Sequence, residues 1–420
     1  MAYQIPRGTY DILPGEVEKW QWVEEQMRHA CRLFHYEEVR TPMFEQTELY
    51  KRGVGETTDI VEKEMYSFSD RGNRQLTLRP EGTAGMVRSF VEHKIYGQPQ
   101  PTKWYYIGPM FRYERPQAGR SRQFHQFGIE AFGSMDPALD AEVIALGMHL
   151  FQSLGLEGVR VELNSVGDAE SRARYREKLI QYFEPYKDEL SPEAQSRLYK
   201  NPLRILDSKD ARTKEIASAA PSLFDDLSED SKMHLDRVKQ YLDEMGVHYV
   251  INDRLVRGLD YYTQTAFEYM LDLKGAQAST IGGGGRYNGL VKEIGGDDVP
   301  GVGFGIGIER VMLALEEQQI QVPNQNRLDG YLITMGEQAK AAGMKVLQVL
   351  REAGFQVDRD YLDRKMKAQF KAADRAGARY VFILGEEEIA ENKIKVKSMA
   401  TQSQEEVSLS NLLDWLKEKA

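Results

Sequence analysis

Apolar residues recur at steps of three or four between positions 14 and 34: Val17, Trp20, Val23, Met27, Ala30 and Phe34. A 3.6-residue repeat gathers such positions on one face, so this stretch predicts an amphipathic helix. A short strand around 38–41 follows and ends at Pro42. A second strand, 74–78, runs into LRPEGTAGMVRSFV (78–91), where 80–83 should open a helix. Residues 136–155 read as helix and VRVELNSVG (159–167) as strand. From 168 to 250 the chain turns rich in Glu, Lys, Arg, Ser and Tyr. The spacing of Tyr175, Leu179, Tyr182 and Tyr186 is helical there, which predicts a mostly helical insertion. Strand-like, glycine-rich sequence resumes at 251 and runs to a helix near 309–318. The polar segment 321–329 reads as a linker. Beyond it come a strand at 331–335, a helix to about 353, a strand at 355–357 and a basic helix at 363–377. Strands at 379–385 and near 393–398 and a helix near 409–419 complete the chain. Such alternation predicts a separate small α/β domain over 330–420.

The hairpin-like stretch WYYIGPMFRYERPQAGRSRQFHQFGIEAFG (104–133) sorts its polar residues onto one face. With a period of two, Gln126, Gly128 and Glu130 share a face with Phe124 and Phe132, while His125, Phe127, Ile129 and Ala131 point to the core. Arg112 and Glu114 likewise share a face, and the connecting loop adds Arg115, Arg120 and Arg122. An arginine, two carboxylates and an amide around a glycine suit a small zwitterion and a phosphate. A merely solvated sheet face is the alternative.

Two glycine runs bear on the same question. In GVGFGIGIERVMLAL (301–315) glycines alternate with Val302, Phe304, Ile306 and Ile308, so one strand face carries no side chains. That face either receives a flat ligand such as a purine or packs closely on a neighbouring strand. Arg310 opens the following helix, where it can meet phosphate oxygens. The run IGGGGRYNGL (281–290) permits a tight turn or a close ligand approach. Before it, LVRGLDYYTQTAFE (255–268) places Arg257 ahead of an alternation in which Tyr262, Gln264, Ala266 and Glu268 share a face. No G-x-G-x-x-G and no G-x-x-x-x-G-K-[ST] occurs, which excludes a Rossmann fingerprint and a P-loop.

The 420 residues are 41% hydrophobic and 29% charged, ordinary for a globular protein of two or three domains. Cys31 is the only cysteine, so no intramolecular disulfide or thiolate metal cluster forms. The seven histidines show no metal-ligand arrangement, and no metal site is expected. No apolar run approaches membrane-spanning length, and MAYQIPRGTYDILPGE has no signal-peptide apolar core, so a cytoplasmic location without membrane contact is expected. The net charge of −10 argues against indiscriminate nucleic-acid binding and leaves room for a local basic surface.

These segments together resemble the class II aminoacyl-tRNA synthetases, and within them the histidyl-tRNA synthetase family. FRYE (111–114) with RSRQF (120–124) is similar to the second class II motif, GIGIER (305–310) to the third, and the helix–strand unit ending near 41–42 to the first. LVRGLDYY and GGGRYNGL are similar to two blocks peculiar to the histidine enzymes, and RGTYDILPGE (7–16) to their N-terminus. The resemblance spans the whole chain. It implies an α+β catalytic domain over 1–167 and 251–320, an antiparallel sheet of six or more strands flanked by helices. The segment 168–250 would be inserted in it, and 330–420 would be an anticodon-binding domain. It further implies a homodimer, ATP as substrate with Mg²⁺, and L-histidine and tRNA(His) as partners.

Residue by residue, the resemblance puts Glu81, Gly82, Thr83, Gln126, Glu130, Tyr261 and Tyr262 in the histidine pocket. Arg112 and Arg257 would reach the α-phosphate as the catalytic pair. Glu114 and Phe124 would hold adenine, Arg120 would serve the same nucleotide, and Arg310 would meet the γ-phosphate. The reaction implied is histidyl-adenylate formation followed by transfer to tRNA. A synthetase-like, histidine-sensing regulatory subunit of ATP phosphoribosyltransferase is the alternative; the polar residues around Arg257 and the additional α/β domain count against it. No class I HIGH or KMSKS signature appears, RKMKAQ (364–369) being only superficially similar. The charges Arg364, Lys365, Lys367, Lys371 and Arg375 give a solvated helix face or a tRNA contact.

Overall fold

The computed structural model describes residues 3–55, 58–206, 208–255, 259–273, 280–323 and 328–419, in two compact units, 1–322 and 323–420. Along the first unit run β1 (Glu37–Glu38), β2 (Phe44–Gln46), β3 (Tyr66–Ser69), β4 (Gln75–Leu78), β5 (Thr102–Phe111) and β6 (Gln123–Phe132). They are followed by β7 (Arg160–Ser165), β8 (Tyr249–Ile251), β9 (Thr263–Met270), β10 (Thr280–Arg286) and β11 (Gly301–Gly307). Eight of these form one sheet in the order β1-β5-β6-β11-β10-β9-β7-β8, and β2-β4-β3 form a small second sheet.

The large sheet is antiparallel through its centre but not throughout. β1 joins β5 in parallel, and β7 joins β8 in parallel. Parallel neighbours require a long crossover, and the crossover from β7 to β8 takes in most of the 168–250 stretch. It is mostly helical, with helices at Ala169–Phe183, Ala211–Ser218 and Glu229–Glu244. The last of these does not stand apart: its Leu235, Val238 and Leu242 join the main core with the helix Pro137–Ser153. Asp136 starts the latter helix by accepting from the Ala138 amide at 2.9 Å, with Pro137 preset in its first turn.

Period-two alternation divides the hydrophobic packing of the sheet. Phe127, Ile129 and Ala131 of β6 and Val302, Phe304 and Ile306 of β11 face one cluster, together with the helix Val17–Leu33. Phe132, Tyr261, Tyr262, Ala266 and Tyr287 face another, shared with Tyr175, Leu179 and Phe183 of the crossover. A fully buried ion pair ties the end of β10 to the helix Pro137–Ser153, Arg286 Nε lying 3.0 Å from both carboxylate oxygens of Asp140.

Two local expectations change. The glycines 282–285 lie within β10, paired to β9 and β11, and not in a turn. The reason is proximity: a Cβ on Gly284 would collide with the backbone of Gly303. The alternation through Tyr262, Gln264, Ala266 and Glu268 breaks at Gln264, which takes φ 51° where the β9–β10 register shifts.

The second unit holds β12 (Gly330–Thr334), β13 (Val357–Arg359), β14 (Tyr380–Leu384), β15 (Lys393–Ser398) and β16 (Gln404–Ser408), in the order β13-β12-β14-β15-β16. Leu332 and Phe382 face one cluster while Tyr331, Ile333, Val381 and Ile383 face the other, so these strands read as continuous apolar runs. The helix Met366–Arg375 buries Gln369 and Ala373 and leaves Lys367, Lys371 and Arg375 exposed.

Candidate active site

One cavity of about 790 Å³ lies on the β6–β11 face of the large sheet. Its inner end is walled by Glu81, Thr83, Tyr106, Gln126, Tyr261 and Tyr262; its outer end by Arg112, Glu114, Arg120, Phe124 and Arg310. Sequence reasoning named all of these except Tyr106. Glu130 lies just beneath the floor, as the partners of its carboxylate show. Gly82 is not in the wall: a Cβ there would collide with the Tyr106 ring, so its role is to let that ring in. Arg257 lies outside the described residues.

The inner end is buried and closely bonded. Glu130 is 1% exposed and accepts from the Thr83 hydroxyl at 2.7 Å and from the Tyr287 hydroxyl. Burial pushes its carboxyl up to about 8, although those two hydroxyls hold it down. Glu81, 3% exposed, accepts from the amides of Thr83 and Ala84 at 2.8 Å each and so caps the helix Thr83–Glu92. Burial raises its carboxyl too. Tyr106 donates to Gln126 Oε1 at 3.0 Å.

The glycines act through these side chains. The space beside Gly128 was expected to admit ligand; the Tyr106 ring fills it. On the bare face of β11, a Cβ at Gly303 would strike the Glu130 carboxylate and one at Gly305 the Gln126 amide. That face therefore holds the polar side chains Glu130 and Gln126 of β6 close to its backbone, while Gly303, Gly305 and Gly307 still floor the cavity. Tyr106 and Tyr287 were missed. A signal existed for Tyr106, which stands opposite Gly128 on the polar face of the hairpin, and Tyr287 follows the glycine run directly.

At the outer end β5 stops at Phe111, so Arg112 and Glu114 belong to the loop and not to the strand. The Arg112 amide still bonds the Arg122 carbonyl at 2.9 Å, which keeps the hairpin aligned one step further. Arg112 donates from Nε to the Pro80 carbonyl at 2.8 Å and lies 5.3 Å from the Phe124 ring centre. Arg120 pairs with Glu114 at 3.3 Å. Arg310 donates to the Thr280 carbonyl, and its guanidinium is pushed below the usual range by burial and then by neighbouring Arg120. Three guanidinium groups converging on one cavity wall create a demand for polyanion. His125 faces away, its Nδ1 3.1 Å from Glu309 Oε1, the carboxylate that also takes the Tyr10 hydroxyl at 3.0 Å.

Comparison with known proteins agrees with this geometry. The family model described as histidyl-tRNA synthetase matches residues 8–311, and that of the anticodon binding domain matches 329–419. A histidine–tRNA ligase of Geobacillus thermodenitrificans is 55% identical over 100% of this chain and 99% of its own. A histidine–tRNA ligase 2 of Bacillus cereus is 56% identical over 100% of both. The crystal structure of apo S. aureus histidyl-tRNA synthetase superposes with a TM-score of 0.86 at 45% identity, covering 99% of this chain and 100% of that one.

Proposed function

The chain belongs to the histidyl-tRNA synthetase family, and from that premise we propose that it ligates L-histidine to tRNA(His) at the expense of ATP, as a class II aminoacyl-tRNA synthetase. One observation carries the reading: a buried chamber of carboxylates and tyrosines opens directly into an arginine-lined mouth within a single cavity. Histidine bound in the chamber presents its carboxylate to ATP bound in the mouth.

Glu81 and Thr83 lie where the substrate ammonium would be held, and Glu130, backed by Tyr287, where the imidazole would be read. A wrong side chain would leave buried polar groups unpaired, which is how such a chamber discriminates. The histidine carboxylate oxygen attacks the α-phosphorus and the bond to the β-phosphate oxygen breaks, releasing pyrophosphate and leaving histidyl-adenylate. A terminal ribose hydroxyl of tRNA then attacks the acyl carbon and AMP departs. Charge builds on non-bridging phosphate oxygens in the first step, where Arg112 supplies a positive partner and the family resemblance assigns Arg257 the same role. Phe124 and Glu114 take the adenine side and Arg120 and Arg310 the outer phosphates. Mg²⁺ belongs to the same proposal as the counterion of the ATP phosphates.

In the same reading, residues 330–420 bind the anticodon, 168–250 is an insertion, two copies pair, and the protein works in the cytoplasm. No described helix is long and apolar enough to cross a membrane. A histidine-sensing regulatory role is not favoured, since full-length relatives named histidine–tRNA ligase reach 55% identity. Amino-acid-dependent exchange of pyrophosphate into ATP, run with each of the twenty amino acids, tests the proposal. Exchange with L-histidine alone is expected; exchange with another amino acid, or with none, overturns it.

A further inference from the structure

The tyrosine wall of the chamber is gripped from the crossover between β7 and β8. The Asp260 carboxylate, directly before Tyr261, accepts from Asn201 Nδ2 at 3.1 Å and from Arg204 Nε and Nη2 at 3.3 and 3.2 Å. Two residues on, the Tyr262 carbonyl accepts from Arg172 Nη1 at 2.9 Å. Arg204 belongs to the single turn Pro202–Ile205 and is 9% exposed; Arg172 lies in the helix Ala169–Phe183. The grip is backed from behind, where the Asp260 amide bonds the Val54 carbonyl and Gly55, at φ +104°, lies so close that a Cβ would overlap Asp260.

Between these anchors the aromatic rings form a relay. Tyr261 and Tyr262 lie 4.7 Å apart between ring centres, Tyr261 lies 5.7 Å from Tyr287, and the Tyr287 hydroxyl reaches Glu130. Beyond Tyr262 the chain passes through Gln264 at φ 51°, a conformation that residues other than glycine rarely adopt and that persists only when the surroundings hold it. The same tyrosines pack in one cluster with Tyr175, Leu179 and Ile205 of the crossover. None of the crossover residues Arg172, Asn201 and Arg204 lines the cavity.

We propose that Arg172 and Arg204 are positioning residues for the amino-acid chamber, through which the crossover sets the affinity for histidine without touching it. The inference rests on the function proposed above. Charge-assisted bonds to a three-residue wall fix its backbone more firmly than neutral ones would. When the wall is released, only the fraction of molecules that keep it in place binds histidine, and apparent affinity falls by that fraction. ATP is held at the other end of the cavity, away from Arg172; Arg204 also borders a neighbouring cavity with Arg112 and Arg120, so Arg172→Ala is the cleaner test of that separation.

The test is pyrophosphate exchange by the full-length protein, with KM for L-histidine and for ATP measured separately in wild type, Arg204→Ala, Arg172→Ala and Arg172→Lys. Either alanine change is expected to raise KM for histidine about tenfold, with KM for ATP moved by less than about twofold in Arg172→Ala and by less than the histidine value in Arg204→Ala. Arg172→Lys should recover most of the loss, because one donor to one carbonyl is all that site uses. Equal changes in both KM values, or an unmoved histidine KM in a folded variant, overturn the inference. Should the variants not fold, hydrogen exchange on the wild type decides: L-histidine alone should slow the backbone amides of 172–175 and 201–206, and unchanged rates refute the coupling. A wild type without histidine-dependent exchange instead sinks the proposed function itself.

Discussion

At the inner end of the cavity Glu130 and Glu81 are 1% and 3% exposed, and hydroxyls and amides occupy their oxygens before any substrate arrives. At the outer end the Arg120 side chain is 36% exposed, and arginine stands beside arginine. The difference follows from what each end must do. A buried, bonded chamber imposes a large cost on any guest that leaves one of its groups unpaired, so in the proposed function it selects. A half-buried cluster of guanidinium groups has less shape to enforce, and in the proposed function it meets charge that grows during the reaction and accelerates it. The inner end leans on the crossover packing and the outer end on the loop of the β5–β6 hairpin.

The sharpest way to break that contrast is to remove charge at the outer end. Arg112→Ala should lower pyrophosphate exchange by about 10²–10³, or roughly 3–4 kcal/mol, with little change in histidine binding measured by calorimetry. Arg257→Ala should do the same. A matching loss of histidine affinity would show that the two ends are not separable.

Next in size is Glu130→Ala. Leaving a buried imidazole N–H without its partner costs about 1–3 kcal/mol, so KM for histidine should rise roughly fivefold to a hundredfold while KM for ATP stays put. A shift of the ATP value by a similar factor would dissolve the division.

How much of this was legible along the chain depends on the range of the interaction. The polar face of the hairpin was, because alternation is local: Gln126 and Glu130 fall on the predicted side and Phe127 and Ile129 on the other. So were β12 and β14, whose apolar runs reflect burial on both faces. β16 was not, since Val407 is its only buried residue. The glycines of β10 read equally well as a turn; only their contact with β11 decides, and that contact is non-local. The bend at Gln264 and the grip of Arg204 on Asp260 depend on neighbours far along the chain, which no window of sequence contains.

The buried carboxyl at the inner end also gives that end its own pH signature. Glu130 keeps its proton to about pH 8 in the folded chain, against 4.5 ordinarily. Between those values the folded state binds more protons than the unfolded one, so stability falls as pH rises. For the ligand-free protein the contribution between pH 6 and pH 8 is about 2 kcal/mol, on the order of what such a shift yields by linkage. Urea denaturation of wild type and Glu130→Gln at both pH values should show the variant losing less stability over the interval. Parallel losses would place the titrating group elsewhere.

The mildest probe is Tyr287→Phe, which keeps the ring against Tyr261 and Phe132 and deletes only the hydroxyl on Glu130. A single neutral donor contributes about 0.5–1.5 kcal/mol, so KM for histidine should rise roughly threefold to tenfold and KM for ATP should not move. The hydroxyl also holds the Glu130 carboxyl down, so its loss should push that group higher and steepen the fall of stability with pH. The two readouts must therefore move together. A raised histidine KM with an unchanged pH slope would mean that Tyr287 acts through the aromatic packing of the wall, and the chamber would owe its selectivity to shape more than to the bonded carboxylate.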